Sequence, residues 1–270
     1  MSIGLLEGMF LLAAWAIVPL GLRLLPESRP LALARRLQPA AAILATVSFF
    51  LSKGTVAAAL ALPWLALNGL VALAGLIGLK DALRGGIPSL LRTAAMLFPV
   101  VGGIHLVSSR LGHPLAGFPE PIILLTAIHF HYTAFAAPIL ASLSGRRLGM
   151  VAGLGLVGGT PLLAAGFLFS PQLKAAAVGL LVLSVIGVAL AQFGALTRLR
   201  RPPARLLLAI SSLCVIAGMV LAAIYEHGFY TGRSWLSISQ MAWSHGLLNG
   251  VGFSLGGLVA WKIDRDGRLM

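Results

Sequence analysis

Nine runs of mostly apolar residues follow one another along the chain and leave only short polar gaps between them, at about 3–22, 37–51, 55–79, 88–108, 119–143, 148–169, 173–196, 204–226 and 237–261. A helix needs roughly 20 such residues to cross a bilayer. The runs are continuous where the strands of a membrane barrel would alternate. The pattern therefore predicts an all-α, polytopic transmembrane bundle of about nine spans, one domain over residues 1–270. Only 10% of residues are charged, against roughly 25% in an ordinary soluble domain. The run at 37–51 is short and the next is long, which places the least defined boundary near Lys53-Gly54. The first run has no basic residue ahead of it and carries Glu7, so it reads as a span rather than a cleaved signal peptide.

The basic residues test this count. Cytoplasmic loops of membrane proteins carry an excess of Lys and Arg. Arg23, Arg29, Arg35 and Arg36 fill the first gap, and Lys80, Arg84 and Arg92 mark the third. Arg146 and Arg147 fill the fifth, Arg198, Arg200, Arg201 and Arg205 the seventh, and Lys262, Arg265 and Arg268 the tail. Lys53, Arg110, Lys174 and Arg233 alone fall in the even gaps, so sixteen of twenty basic residues share one side. Nine spans with the N-terminus outside and the C-terminus cytoplasmic satisfy the rule. The net charge of +13 is thus explained by topology, and no basic face or tail points to nucleic acid.

Ionisable groups inside hydrocarbon are costly unless they do something, so the polar residues within the runs are the candidate site. PEPIILLTAIHFHYTAFAAPIL (119–140) carries Glu120, His129, His131 and Tyr132, with Phe130 between the histidines. At about 100° per residue, His129 and Tyr132 share a helical face while His129 and His131 point opposite ways. One histidine should then face a cavity and the other a neighbouring helix. The stretch AAIYEHGFYTGRSW places Glu226 where an apolar helix reaches the interface, beside Tyr225 and His227. It fits an aromatic belt around a snorkelling acid; facing inward, Glu226 would be a proton donor or proton-coupling group. In MAWSHGLLNGVGF (241–253), His245 and Asn249 are four apart on one face, near Trp243. These suit either a site or a hydrogen-bonded helix contact.

HFHYTAFAAPIL, the Glu226-His227 pair and SHGLLNGVGF resemble motifs of the YndJ-like family of bacterial integral membrane proteins, spread over the C-terminal 150 residues. The N-terminal third carries no such motif. The resemblance implies a multi-pass protein of the bacterial inner membrane and a polar site of His129, His131, Tyr132, Glu226, His245 and Asn249. It implies no reaction.

The residue types suggest an intramembrane enzyme for acid-catalysed cyclisation or isomerisation of an isoprenoid-type lipid. A buried carboxylic acid, Glu226 or Glu120, would protonate the substrate with His129, Tyr132, His245 and Asn249 as partners. His131, Phe130, Tyr225 and Trp243 would line the path, since ring faces stabilise a cation. This is similar in logic to small integral-membrane terpene cyclases, by site composition only. The alternative is a proton-coupled transporter or permease of a small or lipidic solute. A metal oxidoreductase using His105, His129 or His131, His227 and His245 with two glutamates ranks third, because no H-x-x-x-H spacing occurs. No cofactor and no metal are expected. The expected partners are membrane lipid and a hydrophobic small molecule.

Overall fold

A computed structural model describes residues 3–267, and among them there are ten helices and no strand. We label them α1 (Leu5–Leu24), α2 (Arg29–Phe49), α3 (Thr55–Ile77), the short α4 (Leu79–Arg84), α5 (Ile87–Leu111), α6 (Ile122–Ser144), α7 (Arg147–Phe169), α8 (Pro171–Arg198), α9 (Pro202–Tyr230) and α10 (Ile238–Asp266). Eight of these, all but α2 and α4, are long and apolar enough to cross a membrane. Large apolar side chains such as Val56, Phe169, Leu183 and Leu213 are exposed, as expected of a surface whose solvent is lipid.

The tally is eight rather than nine because α2 has the length of a span but not the composition. Its first turns hold Arg29, Arg35, Arg36 and Gln38. Both its ends are nonetheless tied to the ends of neighbouring helices. Arg35 donates to the carbonyls of Leu22 and Leu25 at the end of α1 (2.8 and 3.4 Å). At the other end of α2, Leu51 accepts from Arg110 and the Gly54 N–H donates to the Arg110 carbonyl (3.0 and 2.8 Å). Twenty-one residues extend about 31 Å, so α2 runs the length of its neighbours. The turn at 50–54 falls where the sequence placed the uncertain boundary.

The chain forms two compact units. The first takes in the chain up to Gly86 together with Arg92–Ala136; the second takes in Ile87–Leu91 and the chain from Ala137 onward. In the second unit the basic residues crowd one end. Arg146 donates to Gly194 O (2.8 Å), Arg198 to Ser144 O and Gly145 O (3.2 and 3.1 Å), and Arg205 to Leu199 O (2.7 Å), while Asp264 accepts from the Arg200 N–H (2.6 Å). The guanidiniums thus take up carbonyls that helix ends leave unpaired.

Three helices contain π-helical turns with identifiable causes. In α1 the turn covers Ala13–Ile17, and the Val18 N–H reaches back to Ala13 O. In that register Ala14 O would need an N–H from residue 19, a proline, which has none. Gln38 supplies the missing donor (Nε2 to Ala14 O, 2.6 Å). In α6 the turn at Tyr132–Ala136 precedes Pro138 in the same way. In α10, where π turns cover Ala242–Gly246 and Leu248–Leu255, there is no proline. There the Asn249 side chain donates to His245 O (2.7 Å) and takes the place of a ladder N–H.

Among the close approaches in the α7–α8 hairpin, that at Gly166 is against backbone. A Cβ on Gly166 would meet the Lys174 N and Cα at 2.5 Å, backbone that cannot move aside. Gly158, one helix face away, has nothing within 4 Å. Gly166→Ala is expected to cost about 1–3 kcal/mol. Gly158→Ala should stabilise by about 0.5–1 kcal/mol through helix propensity alone. Thermal melts in detergent check both, and a neutral Gly166→Ala would refute the packing.

Candidate functional site

Four polar clusters gather the residues singled out above together with several that were not. In the first unit, His131 is fully buried, and both its ring nitrogens are engaged. The Trp64 indole N–H donates to Nε2 (3.1 Å), and Nδ1 donates to Ala127 O (2.7 Å). An indole N–H can only donate, so the proton of His131 is on Nδ1 and the ring is neutral. Phe10 meets the imidazole edge-on (centroids 5.5 Å apart). Gly102 permits the close fit, since a Cβ there would lie 2.8 Å from Cε1. The Tyr132 hydroxyl donates to Met9 O (2.8 Å) from a buried position.

His129 is exposed, with Nδ1 donating to Leu125 O (2.7 Å). The two histidines therefore part as the helical period predicts. His129 and Tyr132 also part, one outward and one inward. Three residues leave an offset of about 60°, enough to divide them at the edge of a buried face. Phe130 stacks near His105 (6.3 Å, 17°) and meets Phe98 edge-on (6.3 Å).

The second cluster lies where α1 and α6 begin, α5 ends and the turn at 50–54 passes. Glu120 precedes α6 rather than lying within it. Its carboxylate accepts from the Ser109 hydroxyl and from the Leu124 N–H (3.3 Å), and it pairs with the Lys53 ammonium (3.1 Å). Arg110 is almost wholly buried, packs over the Phe49 ring (4.9 Å), and has an Nε without a partner.

In the second unit, Glu226 pairs with Lys174 at 3.0 Å, their side chains 11% and 7% exposed. The ammonium lies 3.3 Å from the Phe229 ring centroid and 5.4 Å from that of Phe167. Glu226 Oε1 is buried without a hydrogen-bond partner. Tyr225 beside it is half-buried, and His227 packs on Trp235 (5.3 Å). The fourth cluster is on α10 and α9. His245 Nδ1 donates to Gly218 O (2.8 Å), while Asn249 donates to His245 O and lies 3.2 Å from Nδ1. Gly218 leaves the necessary room, because a Cβ there would lie 2.4 Å from Asn249 Nδ2. Trp243 is mostly exposed.

Lys174, Lys53, Ser109 and Trp64 were not anticipated. The one available signal was that Lys53 and Lys174 are isolated cations, each at a gap that carries no other charge.

The profile of the YndJ-like protein family matches residues 9–253. The chain belongs to the YndJ-like family. The match reaches the N-terminal third, where no family motif was visible, and it includes all four clusters. The uncharacterized membrane protein YndJ of Bacillus subtilis (strain 168) is 30% identical over 177 residues, which cover 63% of this chain and 32% of that protein. The chain thus spans about a third of that relative's length. No solved structure matches it. It is a multi-pass membrane protein, as its family and its eight apolar helices agree. Neither comparison carries an activity, so the likeness to terpene cyclases gains no support from them.

Proposed function

We propose that this YndJ-like protein is a proton-coupled carrier of a small or lipidic anion, with Lys174 and Glu226 as its coupling pair. The observation that carries this reading is the pairing of that glutamate with a buried lysine. A buried ion pair is tolerated only while both charges are present, since removing one strands the other in a poor solvent. A proton reaching Glu226 therefore frees Lys174 to take an anion, and release of the anion returns the carboxylate to the lysine. Binding of proton and anion become mutually dependent, which is what coupling means thermodynamically. The partnerless Oε1 is the atom open to the proton, and the Phe229 and Phe167 rings steady the ammonium while the carboxyl is neutral.

The same pairing weighs against acid-catalysed cyclisation. A carboxylate opposite an ammonium starts in the wrong form to protonate an olefin, and Glu120 is held in the same way by Lys53. The enzyme reading, with Glu226, Glu120, His129, Tyr132, His245 and Asn249 catalytic and His131, Phe130, Tyr225 and Trp243 at the substrate, keeps one observation in its favour. Tyr132, His245 and Asn249 all lie in π turns, which concentrate at functional sites.

Proteoliposomes with a trapped pH indicator, supplied with farnesyl phosphate as probe, separate the two. Carriage predicts probe-dependent proton entry, probe recovered with unchanged mass, and loss of proton entry by at least tenfold in Glu226→Gln. A probe recovered as a cyclised or isomerised product, with that conversion lost in Glu226→Gln, would establish the enzyme instead. Proton entry undiminished in Glu226→Gln would remove the coupling pair.

A further inference from the structure

We propose that the Glu120 end of the first unit binds a primary ammonium carried on a zwitterion, the chemistry of an ethanolamine phosphate group. This site is in a different unit from the Lys174–Glu226 pair and does not rest on the carrier reading. The Glu120 carboxylate is a preformed acceptor: the Ser109 hydroxyl and the Leu124 N–H hold it from α5 and α6 by short, well-anchored groups. Its third partner differs in kind. Lys53 reaches it at the end of a long side chain that is 45% exposed. A tethered ammonium thus occupies a place that an ammonium on a ligand would fill with the same geometry.

Two clefts open beside this carboxylate. One, of about 280 Å³, is bordered by Ser108, His113, Pro114 and Pro119; the other, of about 150 Å³, by Glu7, Lys53 and Arg110; Glu120 lines both. The smaller cleft holds two acidic and two basic side chains, so it is matched to a ligand bearing one charge of each sign. When a ligand's ammonium replaces Lys53 at Glu120, the released lysine is available for the ligand's anion. Every charge keeps a partner through the exchange, which avoids the cost of an unpaired ion.

Arg110 supplies the second anion contact. It is 5% exposed, its Nη2 is committed to Leu51 O, and its Nε has no partner. A guanidinium left incompletely satisfied beside a cleft is a donor for an oxyanion. The site also lies where three span helices start or end, the depth at which lipid headgroups occur. The zwitterion can therefore arrive on a lipid or free in water.

The test uses the full chain in phosphatidylcholine nanodiscs, with O-phosphoethanolamine, phosphocholine and added dioleoylphosphatidylethanolamine as probes, read by calorimetry and native mass spectrometry. Phosphocholine has no N–H to give Glu120, and its affinity is expected to be at least tenfold weaker than that of O-phosphoethanolamine. Glu120→Gln should lower O-phosphoethanolamine affinity at least tenfold. If that variant fails to fold, the comparison of the two probes on the wild type decides. Tight retention of the phosphatidylethanolamine with weak binding of the free compound assigns the site to a lipid headgroup; comparable affinity assigns it to a soluble zwitterion. Equal affinity for phosphocholine, undiminished binding by Glu120→Gln, or no binding of either ethanolamine probe overturns the proposal.

Discussion

Lys174→Met is expected to lower the melting temperature of the purified protein by on the order of 10 °C, and the double variant K174M/E226M to recover most of that loss. The single change leaves Glu226 buried beside Phe229 with no cation, and stranding one member of a buried ion pair costs about 3–5 kcal/mol. At this chain length each kcal/mol moves the transition by roughly 2–4 °C. Replacing both members removes the stranded charge and leaves side chains that pack against Phe167 and Phe229. Thermal denaturation in one detergent, run on the wild type, both single variants and the double variant, gives the coupling energy directly. A double variant no more stable than the two single changes predict together would show that the charges do not depend on one another, and the carrier reading would lose its basis. A double variant that recovers stability but moves no protons would separate folding from coupling at these two residues.

That pair also shows where the sequence stops being informative. Glu226 was visible as an unusual acid at the end of an apolar run, and its two candidate roles, interfacial or inward-facing, could be named. Which role applied depended on Lys174, a residue on another helix whose approach is set by Gly166 in a third. Nothing local to Glu226 records that approach. The spans were legible because hydrophobic run length is a local property, and the one departure, α2, is a helix whose polar side chains are absorbed by partners elsewhere: Arg35 by the end of α1, Gln38 by a carbonyl that Pro19 leaves unpaired. The divergence of His129 and His131 followed from helical phase alone. The π turns did not, because each depends on a proline or a side-chain donor competing with the regular ladder.

Trp64→Ala is expected to be among the most damaging single changes in the first unit, at about 3–5 kcal/mol for emptying a fully buried indole site. Trp64→Phe keeps most of the contact with Phe10, whose ring lies 5.9 Å away. It removes the one donor to His131 Nε2, which leaves a buried acceptor unsatisfied at about 1–3 kcal/mol. The difference between the two melts separates packing from the hydrogen bond. The bond also fixes what His131 is for. With Nε2 accepting from Trp64 and Nδ1 donating to Ala127, the ring has no nitrogen left to offer a substrate, and its burial admits none. In the proposed carrier His131 is then a positioning residue that ties α3 to α6 and carries no proton. Trp64→Phe should therefore lose stability while keeping full proton coupling well below its melting temperature, the opposite of Glu226→Gln. Coupling lost in folded Trp64→Phe would instead place His131 on the proton path.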